Sequence, residues 1–138
     1  MNAPETGSPA TRVVGTPVRH ESAHLHVSGE ALYTDDVGLP SATLHAAFGI
    51  SPVAHGRLRG LDLSAVLASP GVVGVATAAD VPGENNYGGG ADDDPILADG
   101  LVQYAGQPVF LVVADSLMAA RAAARRARFD IEELPAIL

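Results

Sequence analysis

The sequence predicts a single α+β domain, because strand-like and helix-like segments follow one another without a regular β–α alternation. The 138 residues fit one domain, and 47% of them are hydrophobic, which suffices for a core. The most apolar run, residues 109–114, is typical of a central strand. The first residues are polar and contain several Pro and Gly, so we expect residues 1–13 to be a disordered arm and residues 14–138 to be the domain.

The first half of the chain contains three segments that favour extended structure. We expect a first extended segment at residues 29–33, followed by a turn containing Asp, Gly and Pro. Alternating residues predict a strand over residues 43–50, with Leu44 and Phe48 on its buried face. Residues 56–61 alternate again, so the last two segments are predicted to pair as an antiparallel hairpin.

The middle of the chain predicts a short helix, a strand and a long loop. Residues 64–68 favour a helix with Asp62 or Ser64 as its N-cap, and residues 78–81 favour one helical turn. Between them, the β-branched run at residues 72–77 suits a strand buried on both faces. Residues 82–95 are rich in Gly, Asn and Asp, and a loop of this length in a compact domain is often functional or mobile.

The last third predicts two further strands around the strongest helix. After a short strand at residues 101–104, Asp115 or Ser116 caps a helix over residues 117–126. Its inner stripe has helical spacing and consists of Leu117, Ala120, Ala124 and Ala127. Residues 129–133 return as an edge strand, so the whole pattern predicts a mixed β-sheet with two helices.

Composition excludes several classes of chemistry and of partner. The chain has no Cys and no Lys, which excludes disulfides, iron–sulfur ligation, Cys nucleophiles and Schiff bases. Its net charge of −8 makes nucleic acids and anionic membranes poor partners. No run of about 20 apolar residues and no signal-peptide pattern is present, and a Cys-free chain is consistent with the cytoplasm.

Histidines form the most suggestive metal-binding pattern. If the segment were a strand, the spacing of His20, His24 and His26 would place the last two on one face, and three imidazoles can bind zinc. No carboxylate follows at metalloprotease spacing, which favours a surface segment that happens to hold histidines. His45 and His55 stand alone near the predicted hairpin and are expected to be surface or hydrogen-bonded groups.

Other polar clusters lack the geometry of a site. Residues 92–94 are three consecutive aspartates, which splay apart, and residues 88–90 resemble a phosphate loop only in composition. Adjacent carboxylates at residues 35–36 and 132–133 point to opposite faces of an extended chain. Seven serines occupy turn or cap contexts: Ser22, Ser28, Ser41, Ser51, Ser64, Ser69 and Ser116. We therefore assign no catalytic, cofactor-binding or metal-binding residue.

Several short motifs stand together in the order typical of one known family. In chain order they are VGTP from Val14, HESA from His20, SGEALYTDD from Ser28, SPVAHG from Ser51, PGV from Pro70, ADVPG from Ala79, DPILA from Asp94, YAGQPV from Tyr104 and ELPA from Glu133. They resemble the α/β-hammerhead domain that opens the molybdenum-binding subunit of xanthine dehydrogenases and aldehyde oxidases, with bacterial xanthine dehydrogenase most similar. The resemblance covers about residues 14–138.

This resemblance implies a structural, non-catalytic domain of a cytoplasmic molybdenum hydroxylase that acts on purines or aldehydes. The whole enzyme is expected to use molybdopterin, iron–sulfur clusters and FAD, none of them bound by this chain. In relatives the molybdopterin-binding residues and the base Glu lie beyond the position of Leu138. The expected partners are the remaining molybdenum-cofactor domains and the iron–sulfur/FAD subunit, contacted through the loop at residues 82–95 and the strand at residues 43–50.

Two alternatives remain open from sequence. One is an autonomous module that holds a small ligand or a metal through the loop at residues 82–95 or through His20, His24 and His26. The other is a truncated reading frame or a designed fragment.

Overall fold

A computed structural model of the chain describes residues 14–88 and 94–136. The chain divides into two compact units, Met1–Leu39 and Pro40–Leu138, and each is described by itself. The arm predicted at residues 1–13 lies outside the described residues.

The first unit contains a helix directly before the segment that the sequence predicted to be extended. Helix α1 spans Ala23–Ser28, and a single 3-10 turn follows at Thr34–Asp36. Gly29 adopts the left-handed conformation, with φ of 77°, and its N–H donates to the carbonyl of Leu25. The extended segment predicted at residues 29–33 is therefore wrong, because Gly29 ends a helix instead of beginning a strand.

The second unit is built from two antiparallel, three-stranded sheets. Its strands are β1 (His45–Ile50), β2 (Gly56–Asp62), β3 (Val72–Thr77), β4 (Leu101–Val102), β5 (Pro108–Ala114) and β6 (Arg128–Glu133). Sheet A has the order β1-β5-β3 and sheet B the order β4-β2-β6. The predicted α+β class is confirmed, but two antiparallel sheets replace the single mixed sheet.

Successive strands of this unit belong to different sheets. β1, β3 and β5 form sheet A, and β2, β4 and β6 form sheet B. The hairpin predicted between residues 43–50 and 56–61 is therefore wrong: β1 pairs with β5, whereas β2 pairs with β4 and β6. Sequence proximity favours local hairpins, but in this fold each connection carries the chain to the other sheet.

The face of β1 that packs inward is the opposite of the predicted one. His45, Ala47 and Gly49 point inward, while Phe48 is 54% exposed. A Cβ atom added at Gly49 would overlap the ring of Phe110, its partner on β5. The inner side of β1 is thus small because Phe110 fills the core there, and the larger apolar residues of β1 face outward.

The other strands agree more closely with the sequence pattern. β5 is the central strand of sheet A and β6 is an edge strand of sheet B, as predicted. β3 lies at an edge and is not buried on both faces, since Val73 is 64% exposed. β4 is shorter than the predicted strand at residues 101–104. The predicted turn after β3 is confirmed as a 3-10 turn at Ala78–Asp80.

Two helices pack against the inner side of sheet A. Helix α2 spans Ser64–Leu67 with Leu63 in the cap position, and Asp62 Oδ1 accepts the N–H of Ser64. Helix α3 spans Leu117–Ala124, two residues shorter than predicted, and Ser116 caps it by accepting the N–H of Ala119.

The core lies between these helices and the two sheets. The buried residues of α3 are Ala120 and Ala123, whereas Leu117, predicted to be on the inner stripe, is 38% exposed. The buried core cluster comprises Val66, Ala98, Val109, Phe110, Val112 and Ala123. Alanines on α3 permit a close approach to β5, so the helix rests directly on the face that carries Phe110.

Candidate functional site

The three histidines of the first unit do not come together as a metal site. His24 and His26 lie on α1, where a spacing of two residues places them about 200° apart around the helix axis. His26 instead contacts His20, at 5.9 Å between ring centroids, and its Nδ1 lies 3.1 Å from the hydroxyl of Tyr33. The sequence placed His24 and His26 on one face only if the segment were a strand. Because the segment is a helix, the two side chains do not share a face.

No other cluster among the described residues has the composition of a metal centre. Within residues 14–88 and 94–136, no group of three or more His, Asp or Glu side chains could hold an ion. His45 faces inward on β1, and His55 Nδ1 lies 2.8 Å from the carbonyl oxygen of Pro135. Asp92, Asp93, Gly89 and Gly90 lie outside the described residues.

The paired carboxylates stabilise local structure. Asp36 Oδ2 accepts the N–H of Tyr33, and Glu132 on β6 forms an ion pair with Arg59 on β2.

Two further carboxylates have lowered pKa values. Hydrogen bonds from the N–H and the hydroxyl of Thr77 lower the pKa of Asp80, and hydrogen bonds from Ser64 lower the pKa of Asp62. Both shifts favour the ionised carboxylate at a helical turn, which is a capping function.

Serine hydroxyls whose bonds are defined also have structural partners. Ser51 is buried and donates to the carbonyl of Val53, while Ser69 donates to the carbonyl of Ala65 and accepts from Arg126. These bonds close turns and join α2 to the end of α3.

Asn85 anchors the loop at residues 82–95, a feature that sequence reasoning missed. Its side-chain amide donates to the carbonyl of Leu97 at 2.7 Å and accepts the N–H of Leu97 at 3.0 Å. The N–H of Tyr87 donates to the carbonyl of Asp94 at 3.2 Å. The described part of the loop contains no helix or strand, as predicted, but its two ends are joined by these bonds. The neighbouring residues of Asn85 contain no pattern that predicts a hydrogen bond between its side chain and the backbone of a residue twelve positions later.

The outer face of sheet A carries apolar residues from all three of its strands. The register places Phe48, Leu111 and Ala76 side by side in one row, and Ala46, Val113 and Gly74 in the next; these six residues define the outer face. Phe48 is 54% exposed, and Leu44 at the start of the strand is 48% exposed. This face is opposite to the one that α3 covers, so it is open to solvent along β1.

Among the clefts that border this unit are two with a mainly apolar lining. A cleft of about 540 Å³ surrounds the hydrogen bond between His55 and Pro135, with Tyr104 on its wall. A second cleft, of about 330 Å³, lies between β1 and α3; we call it the β1–α3 groove. It is lined by Phe48, Gly49, Ile50, Arg121, Ala124, Arg125 and Phe129.

The described residues offer no ligand set for an iron–sulfur cluster or a metal ion. Iron–sulfur clusters are held by thiolates and the chain has no Cys. The described residues offer no metal-binding group, and the two clefts are lined mainly by apolar side chains. No helix of the described part of the chain has the length and apolar character needed to cross a membrane.

Comparison with known proteins connects this arrangement to one family. A family described as "Aldehyde oxidase and xanthine dehydrogenase, a/b hammerhead domain" matches residues 28–135. Xanthine dehydrogenase of Oryza sativa subsp. japonica is 47% identical over 125 residues, which cover 91% of this chain and 9% of the rice protein. The chain therefore spans about a tenth of this curated relative.

Solved structures give the same result for the fold. Aldehyde oxidoreductase from Desulfovibrio desulfuricans superposes with a TM-score of 0.81 at 36% identity, over 90% of this chain and 15% of that one. A Cu,Mo-CO dehydrogenase superposes with a TM-score of 0.75 at 34% identity, over 88% of this chain and 16% of that one. The hammerhead arrangement expected from the sequence motifs is confirmed by these matches.

Proposed function

The chain belongs to the α/β-hammerhead domain family of aldehyde oxidases and xanthine dehydrogenases, and on that premise we propose that it is a structural, non-catalytic domain of a molybdenum hydroxylase. The domain is taken to extend over residues 14–138. The enzyme hydroxylates a purine or an aldehyde, and similarity to a xanthine dehydrogenase favours a purine. A role in purine metabolism and a cytoplasmic location belong to the same proposal.

The cofactors of this enzyme are assigned to other parts of it. A molybdopterin centre supplies the hydroxylation chemistry when bound, and iron–sulfur clusters and FAD carry the electrons away. In this proposal none of these groups is bound by this chain, whose own role is to fold and to dock. Its partners are the remaining molybdenum-cofactor domains and the iron–sulfur/FAD subunit.

The observation that carries the proposal is the open outer face of sheet A. Phe48 is 54% exposed and its neighbours Leu111 and Ala76 are half-buried, and a partly open apolar sheet face of this kind is suited to being covered by another protein. Most of the relatives' length lies outside the matched region, so a large covering surface is available in the same polypeptide. The loop at residues 82–95 is retained as a second contact.

A domain exchange tests this proposal. The matching segment of the rice xanthine dehydrogenase is replaced by residues 28–135 of this chain, and assembly and xanthine oxidation are measured. We expect the exchanged enzyme to assemble and to oxidise xanthine, whereas deletion of the segment abolishes both. The purified 138-residue chain alone is expected to fold and to oxidise neither purines nor aldehydes. Oxidation by this isolated chain, or failure of the exchanged enzyme to assemble, would contradict the proposal.

A further inference from the structure

The β1–α3 groove combines an apolar floor with two cations at its rim. Phe48 and Ile50 are 54% and 52% exposed, and Phe129 is half-buried beneath them. Arg121 on α3 and Arg125 at its C-cap lie four residues apart, and because Arg125 keeps helical backbone angles they lie on the same side of the helix. A volume of about 330 Å³ is at the lower end of small-ligand pockets, so the groove suits a few side chains rather than a large cofactor.

The two arginines have no acidic partner within the described chain. Arg59 pairs with Glu132, Arg126 donates to Ser69, and Arg128 lies near the carboxylate of Asp62. Among the described residues, Arg121 and Arg125 make no ion pair and no side-chain hydrogen bond, although the chain carries 16 acidic residues and a net charge of −8. Two neighbouring guanidinium groups with no acidic partner among the described residues form a local positive site, and guanidinium binds carboxylates with two parallel hydrogen bonds.

The groove is also continuous with the outer face of sheet A, since Phe48 belongs to both. We propose, on the basis of the function proposed above, that the β1–α3 groove docks an acidic segment of the remaining hydroxylase polypeptide. A large apolar side chain of that segment enters the groove against Ala124 and Phe129, and a neighbouring carboxylate binds Arg121 and Arg125. A second copy of this chain is a poorer occupant, because two molecules of charge −8 repel each other.

The first test uses the complete 138-residue chain and a defined probe. The ¹⁵N-labelled chain is titrated with a blocked peptide of sequence Gly-Asp-Leu-Glu-Leu-Gly and with its Asn/Gln counterpart. We expect the acidic peptide to shift the amide signals of β1 and α3, and the neutral peptide to bind at least fivefold more weakly. The double variant R121E/R125E should bind the acidic peptide more weakly than the parent chain does, by a similar factor. R57E, which reverses an exposed arginine on β2, is the matched control and should leave binding unchanged.

Three results would overturn the docking proposal: no peptide-dependent shift in β1 or α3, equal binding of both peptides, or an unchanged affinity in R121E/R125E. The chain could instead dimerise through this groove, which would appear as a concentration-dependent mass that R121E/R125E abolishes. That result would also overturn the proposal, because a second copy of the chain would then be the occupant.

The second test separates this inference from the proposed function. R121E/R125E and R57E are introduced into the domain-exchanged rice enzyme. We expect R121E/R125E to reduce the assembled fraction at least threefold and R57E to have no effect. If the exchanged enzyme assembles and R121E/R125E leaves assembly unchanged, the groove inference fails while the proposed function stands. If the exchanged enzyme does not assemble at all, the proposed function fails and the hydroxylase segment fails as the occupant with it, while the peptide titration still shows whether the groove binds an acidic peptide.

Discussion

At the scale of single residues, Gly49 determines which face of β1 enters the core. Its position opposite Phe110 leaves no room for a side chain, because a Cβ atom there would overlap the aromatic ring. Phe110 is fully buried and packs at 6.1 Å between ring centroids from Phe129 of sheet B. Because Gly49 has no side chain, the ring of Phe110 fits beside β1 and packs against Phe129, and this aromatic pair connects the two sheets.

Replacing Gly49 by Ala should destabilise the domain. Overpacking of this kind costs about 1–3 kcal/mol or more of the free energy of unfolding, because Phe110 has to leave its position. Chemical denaturation of the isolated chain measures the change. Gly74→Ala is the matched control in the same sheet: nothing lies within 4 Å of an added Cβ atom there, so its stability should be unchanged or slightly raised. Equal losses in both variants would contradict the close packing at Gly49.

Asp80 should make stability depend on pH. Its carboxylate accepts the N–H of Thr77 at 2.8 Å and the hydroxyl at 2.9 Å, and these bonds lower its pKa. A lowered folded-state pKa stabilises the fold above the unfolded value of about 3.9, and this stabilisation is lost as the pH falls through the folded pKa. We expect Asp80→Asn to lower the unfolding free energy at pH 7, with the difference shrinking below about pH 4.

The control for Asp80 is Asp99→Asn, since the side chain of Asp99 makes no hydrogen bond within the described residues. A loss of stability in Asp80→Asn that persists unchanged at pH 3 would show that the charge of Asp80 is not the cause.

At the scale of elements, one buried glutamine holds the connection from β4 to β5. Gln107 is 1% exposed; its Oε1 accepts the N–H of Gln103 at 2.8 Å, and its carbonyl accepts the N–H of Ser51 at 2.9 Å. Gly106 supplies the positive φ of 89° that the turn requires. This connection carries the chain from sheet B to sheet A, and the Gln107 carbonyl ties it to the end of β1.

Gln107→Met should weaken this connection at nearly constant volume. The N–H of Gln103, an exposed residue, would lose its acceptor inside the protein, at a cost of about 0.5–1.5 kcal/mol in unfolding free energy. Gln103→Met, which changes an exposed side chain in the same turn, should stay within about 0.5 kcal/mol of the parent chain. Thermal or urea unfolding of both variants measures the difference. A Gln107→Met protein as stable as its control would contradict the bridging role of the amide.

Local elements were largely predictable, but their pairing was not. The position of β5, the Ser116 cap of α3 and the turn at Ala78–Asp80 followed from composition and short-range chemistry, which act within a few residues. The hairpin prediction failed because β1 finds its partner about sixty residues later in the chain. Period-2 patterns mark a strand but contain no information on which distant strand it meets.

At the scale of the whole molecule, the proposed docking of the outer face of sheet A would link stability to assembly. The isolated chain gains little from Phe48, whose ring is 54% exposed, whereas an assembled enzyme would bury that ring. The same side chain should therefore matter differently in the two contexts.

Phe48→Ser should change the unfolding free energy of the isolated chain by less than about 1 kcal/mol, since an exposed side chain loses few contacts. In the domain-exchanged enzyme it should lower the assembled fraction severalfold. Leu67→Ser is the matched control, because Leu67 on α2 is also 54% exposed but does not lie on the outer face. Size-exclusion chromatography with an activity assay measures assembly. Equal effects of the two substitutions would show that the outer face is not the contact surface.

The sequence by itself determined the class of the fold, the place of most strands and helices, and the family to which the chain belongs. Those properties depend on local periodicity, capping residues and the order of short motifs, all of which are present in the linear sequence. Only the tertiary structure decided that strands alternate between two sheets and that β1 turns its larger apolar side chains outward. The physical reason is that an alternating pattern distinguishes two faces of a strand without saying which is buried. Which face of β1 is buried depends on a residue distant in sequence, because the ring of Phe110 on β5 leaves room only for Gly49 on the facing side of β1.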